Sequence, residues 1–71
     1  MILGGVYVRS DGLIVKITSV DHTCGDDVVV MGVVLSTGDT GGVRVGEHWV
    51  VLYPHLYCPL PPEEAAIYTM S

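Results

Sequence analysis

The sequence predicts an all-β fold: a small barrel of four to five short strands with a short C-terminal helix or tail. Three observations carry that reading. Short runs of β-branched and apolar residues recur along the chain, turn sequences rich in glycine and aspartate separate them, and a cluster of prolines closes the series. The 71 residues have room for one domain. A chain this short buries only roughly 60% of the surface it exposes when unfolded, so it sits near the lower limit for folding alone.

Val6 to Arg9 reads as the first strand, ended by the tight-turn tripeptide Ser10-Asp11-Gly12. The return strand, Leu13 to Val20, sets Leu13, Val15 and Ile17 against Ile14, Lys16 and Thr18, one face for the core and one mixed. Asp21 to Asp27 is a polar loop. Val28 to Leu35 is β-branched and apolar on both faces, which predicts a strand covered on both sides, the second cover coming from another subunit. Thr37 to Gly42 is a turn with three glycines, and Val43 to Val45 is expected to begin the strand that comes back. Glu47 to Tyr53 leaves two readings open, a last strand or a turn of 3₁₀ helix, and Pro54 stops either. Pro59, Pro61 and Pro62 are expected to forbid ladder pairing. Pro62-Glu63-Glu64 suits the first turn of a helix, so residues 61–71 form a short helix or a tail beyond a barrel of residues 1–60. Closure, complete or partial, follows from the need to remove unpaired edges.

The Val6-Tyr7 strand, the Asp11-Gly12 turn and the Leu13 to Val20 strand resemble the opening hairpin of SH3-like small barrels. The stretch from Gly41 to Leu60, a glycine turn leading into Val-Arg-Val, aromatic turns and a closing proline, is similar to the end of small barrel proteins encoded by phages and mobile elements. The resemblance covers most of the chain and consists of strand and turn pattern without a diagnostic motif. It implies an SH3-like barrel. Because one group of such short acidic phage proteins inhibits host defence complexes by blocking a protein surface, it also implies an inhibitor as one role.

Composition narrows the partners. Hydrophobic residues make up 49% of the chain and the mean hydropathy is +0.51, high for a domain whose size leaves much of its surface in water. Apolar surface is therefore left over for contact with another protein, and a homo-oligomer is the simplest outlet. Three cations, Arg9, Lys16 and Arg44, face eight acidic residues for a net charge of −5. Three scattered cations make no phosphate-binding footprint, which argues against nucleic acid. A basic protein partner is the complementary expectation, with the acids otherwise serving solubility. The longest apolar run is too short to span a membrane, and the opening Met-Ile-Leu-Gly-Gly does not read as a signal peptide, so the expected location is the cytoplasm. Cys24 and Cys58 are then expected to be reduced.

Four chemistries have candidate residues in the sequence. His22, Cys24, His55 and Cys58 form a zinc-like inventory, yet their spacing is not that of Cys-x-x-Cys knuckles, and ordinary core or loop roles are preferred. Cys24 with His22, His48 or His55, oriented by Asp21, Asp26 or Asp27, makes a thiolate-and-base drawing that spacing does not constrain. Gly38-Asp39-Thr40-Gly41-Gly42 resembles the trypsin-like Gly-Asp-Ser-Gly-Gly with threonine in place of the nucleophile. It also contains the Asp39-Thr40-Gly41 of retroviral aspartic proteases, in which a dimer pairs two aspartates, and a hairpin turn explains the same residues. No catalytic residue, cofactor or metal is therefore expected. Trp49, Tyr53 and Tyr57 recur every four residues and are read as partner-binding anchors or core fillers, with Trp49 in the core and the tyrosines at its margin. The acidic pair Asp26 and Asp27 completes the expected partner surface.

Overall fold

The run of Val6, Tyr7 and Val8 forms strand β1 (Val6–Arg9), and the chain turns back at Asp11-Gly12 into β2 (Ile14–His22). The computed structural model describes residues 1–22 and 28–69. Gly12 takes φ +93°, a conformation open to glycine at little cost. The turn is closed by Gly12 N–H donating to Arg9 O at 2.9 Å and Arg9 N–H donating to Leu13 O at 2.8 Å. Strand β3 (Val28–Ser36) lies antiparallel to β2, and β4 (His48–Val51) antiparallel to β3. A 3₁₀ turn (Pro54–Leu56) leads into β5 (Tyr57–Pro59), which pairs antiparallel with β1. The result is one five-stranded sheet in the order β4-β3-β2-β1-β5, followed by helix α1 (Pro62–Thr69). Its two edges, β4 and β5, are not joined by backbone pairing.

The core follows the alternation of β2. Leu13, Val15 and Ile17 are buried with Val30, Val34 and Val51, while Lys16 and Thr18 are exposed. Ile14 is buried as well, outside that cluster, and a register shift between Ile14 and Val15 marks where the two-residue alternation breaks. Val30, Gly32 and Val34 turn one face of β3 to the core. On the other face Met31, Val33 and Leu35 are only half-buried and Val29 is exposed, so the second face is partly open within the single chain.

Three sequence expectations are corrected. Asp21 and His22, expected in the polar loop, extend β2 and pair with Val29 and Val28. Val43 to Val45 is not a strand: Arg44 N–H donates to Glu47 Oε2 at 3.0 Å, Glu47 N–H donates to Arg44 O at 3.1 Å, and Gly46 takes φ +89°. These local bonds close the segment as a loop, cross-strand bonds to Val34 begin at Gly46 and Glu47, and the strand starts at His48. Pro59 does enter a ladder, opposite Tyr7. Leu60 N–H donates to Val6 O at 3.0 Å, and ladder bonds in an antiparallel pair recur at every second residue, so the Pro59 nitrogen faces away from β1. A proline is tolerated at such an edge position because no partner strand lies on that side. The two open readings of Glu47 to Tyr53 resolve in succession, a strand through Val51 and a 3₁₀ turn after Tyr53. The C-terminal segment is a helix with Pro62 first and Glu63 and Glu64 in its first turn.

Candidate functional site

The edges β4 and β5 lie at opposite ends of the strand order, yet side chains bridge the gap between them. Trp49 Nε1 on β4 donates to the Tyr57 hydroxyl on β5 at 2.9 Å. The Arg9 guanidinium, from the end of β1, stands 5.6 Å over the Trp49 ring, a cation–π distance. Beside this bridge runs a groove of about 130 Å³, walled by Trp49, Val50, Leu52, Tyr53, Leu56 and Tyr57 with Arg9 at its polar end. Successive strand residues point to opposite faces, so a groove lined by both Trp49 and Val50 wraps the free edge of β4 itself.

The connection after β4 builds the other wall. Tyr53 caps the 3₁₀ turn, Leu56 N–H donates to Tyr53 O at 3.0 Å, and Tyr57 N–H donates to Pro54 O. Held this way, Leu52, Tyr53 and Leu56 remain 72%, 59% and 49% exposed, and Val50 45%. Four large apolar side chains are thus left to water around one concavity, a contiguous exposed apolar patch. The Tyr53 ring meets His55 edge-on, with centroids 6.1 Å apart.

A polar clamp fixes Arg9. Asp11 accepts four hydrogen bonds, from Arg9 Nε (3.0 Å) and Nη2 (2.6 Å), the Thr40 hydroxyl (2.7 Å) and the Leu13 N–H (3.2 Å). The bonds from Arg9 and then Thr40 hold the Asp11 carboxyl well below the usual carboxylate range, and the pairing raises Arg9 above its ordinary value. Thr40 arrives through the glycine-rich turn. Gly38 takes φ +55°, and a Cβ there would stand 2.5 Å from the Gly12 carbonyl carbon and 2.6 Å from Asp11 O. The protease-like stretch thus packs turn against turn. Asp39 itself is exposed, and its N–H donates to Asp11 O at 2.9 Å.

Trp49, Tyr53 and Tyr57, one every four residues, meet in this groove, though from a strand, a turn and a second strand rather than from one element. Trp49 and Tyr57 are half-buried against the core, and Tyr53 is exposed. Asp26, Asp27 and Cys24 lie outside the described residues. His22 ends β2, eight residues beyond Ile14, whereas Cys58 stands in the row of Val8 and Ile14. Roughly 26 Å of strand therefore separates His22 from the row of Cys58. Among the described residues no group of three or more His, Cys, Asp or Glu side chains could hold a metal ion, and no helix is long and apolar enough to cross a membrane. Sequence reasoning missed Arg9, Val50, Leu52 and Leu56. The available signal was the apolar pair Leu52 and Leu56 flanking Tyr53-Pro54-His55, since apolar residues around a proline-led turn have little sheet in which to hide. The chain matches no family model, no curated protein and no solved structure among those compared.

Proposed function

We propose that this chain is a non-enzymatic protein-binding or assembly module, an SH3-like and partly open small barrel that takes an extended protein segment along the groove beside β4. The observation that carries the reading is the groove's composition: aromatic and aliphatic walls, one clamped cation, and four large apolar residues facing water. Interfaces draw most of their energy from such aromatic anchors in a desolvated pocket. The strand order, with the last strand beside the first and a 3₁₀ turn before it, supports the small-barrel reading. The net charge of −5 favours a basic partner, and a surface-blocking inhibitor of the kind the phage resemblance implies would use the same groove.

Capture from the source cell tests this. The native chain retains a protein partner, and Tyr53→Ala and Leu56→Ala each lose it while keeping the native circular dichroism spectrum, because both side chains are exposed and carry little of the core. Capture that is indifferent to both substitutions would falsify the groove as the docking site.

A further inference from the structure

We infer that the groove takes strand β4 of a second copy of this chain, the two strands pairing antiparallel across a two-fold axis at Trp49. The inference rests on the groove reading above and names its occupant. Its first support is the direction of the backbone groups on β4. Val34 N–H donates to Glu47 O at 3.0 Å, and Gly32 pairs with Trp49 and Val30 with Val51 in the same register. Inward bonds therefore fall at Glu47, Trp49 and Val51, and the N–H and C=O groups of His48 and Val50 point out of the sheet.

The four residues of this edge carry no guard, although a bulge stands just before them, where Gly46 and Glu47 both pair with Val34. Proteins protect exposed strands with lysines, prolines, bulges or inward charges, and His48-Trp49-Val50-Val51 contains none of these residues. The nearest charge in the sequence, Glu47, is turned back to accept the Arg44 N–H, and the cation over Trp49, Arg9, is neutralised by its ion pair with Asp11. The opposite edge is β5, where Pro59 removes the outward donor. One edge is therefore open to a strand and the other is closed.

Self-complementarity selects the occupant. Pairing His48 with Val50 of the second copy, and Val50 with its His48, uses every outward group of the strand and forms four backbone hydrogen bonds. Trp49 then stands opposite Trp49 at a non-hydrogen-bonded position, where cross-strand aromatic pairs approach most closely. Glu47 falls opposite Val51, so no like charges meet within the paired strands, and the Arg9 over each Trp49 is paired with its own Asp11. A register centred on Val50 would need Leu52, which lies beyond the strand. The apolar excess of the composition has the same outlet, since Val50 and Leu52 are covered on association.

Sedimentation and amide exchange of the full chain test the pairing. The native chain forms a concentration-dependent dimer in which protection of the His48 and Val50 amides rises with concentration, while the Trp49 and Val51 amides are protected throughout. Val50→Pro removes an outward donor without touching the inward ladder and weakens the dimer about 10- to 100-fold, as two lost hydrogen bonds predict. If Val50→Pro does not fold, Val50→Lys supplies the edge charge instead and gives the same loss. A native chain that is monomeric at millimolar concentration, or a dimer that the folded variant forms equally well, overturns the inference. The groove reading stands or falls separately, on whether partner capture responds to Tyr53→Ala and Leu56→Ala.

Discussion

The two edges of the sheet solve the same problem in opposite ways. At β5, Pro59 sits with its nitrogen outward, Pro61 and Pro62 follow, and α1 begins at once, so a further strand finds no donor and no length to pair with. At β4 the outward groups of His48 and Val50 have no partner among the described residues, and apolar side chains flank them. A domain that cannot close its sheet by backbone pairing has an edge left over, and this chain seals one and surrounds the other with a groove. On the proposed reading, the asymmetry separates an edge that binds from one that does not.

The gap between the edges depends on Trp49, and replacing it has the largest expected effect. Trp49→Ala removes the hydrogen bond to Tyr57, the stack under Arg9 and the half-buried ring against the core. Loss of a fully buried tryptophan costs about 3–5 kcal/mol, so this half-buried one is expected to cost about 2–3 kcal/mol. In a domain of this size that lowers the melting temperature by roughly 10–20 °C. Tyr57→Phe, which deletes only the hydroxyl that accepts from Trp49, is expected to cost about 1 kcal/mol. Thermal unfolding followed by circular dichroism compares the two. If Trp49→Ala melts no lower than Tyr57→Phe, the edges are not held together by the ring.

What could be read from the sequence divides along the line between local and non-local causes. Val6–Arg9 and the Leu13, Val15 and Ile17 alternation depend on side-chain pattern and an adjacent turn, and both were legible. Val43 to Val45 has the composition of a strand yet forms a loop, because the Glu47 carboxylate accepting from the Arg44 N–H decides the matter and composition does not record it. Pro59 was misread because whether a strand lies at an edge is a property of the whole sheet. At the groove, the four-residue spacing of Trp49, Tyr53 and Tyr57 was visible, while Arg9 was not, since it reaches Trp49 across 40 residues of sequence. Thr40 acquires its meaning in the same way, through an aspartate on a distant turn.

A smaller effect sharpens the comparison from the sealed side. In a Val50→Pro background, where β4 is closed, Pro59→Val restores an outward N–H on β5 and is expected to permit a second, weaker association. The substitution itself costs about 0.4–1 kcal/mol of stability through a freer unfolded chain. Sedimentation of the double variant against Val50→Pro alone reads the difference. Equal monomer masses at the highest soluble concentration would mean that shortness, and not proline, closes the β5 edge.

The smallest expected effect is the response to salt, and its sign distinguishes the two occupants considered for the groove. Two copies each carrying −5 repel as they approach, and added salt screens that repulsion over a length of about 8 Å at physiological ionic strength. Self-association through β4 is therefore expected to strengthen by a few-fold between low and physiological salt, because the pairing itself is made of backbone hydrogen bonds and apolar contact. A basic partner steered by the acidic surface behaves in the opposite sense: salt slows its association and leaves its dissociation rate nearly unchanged. Asp26→Lys with Asp27→Lys gives the matching arm, since removing four units of negative charge from a −5 chain weakens attraction to a basic partner but relieves repulsion between copies. Dimer dissociation constants at two salt concentrations, beside association rates for a captured partner, decide between them. A dimer that weakens as salt rises would show that charge pairs hold it together, and pairing through the uncharged β4 edge would then be the wrong description of it.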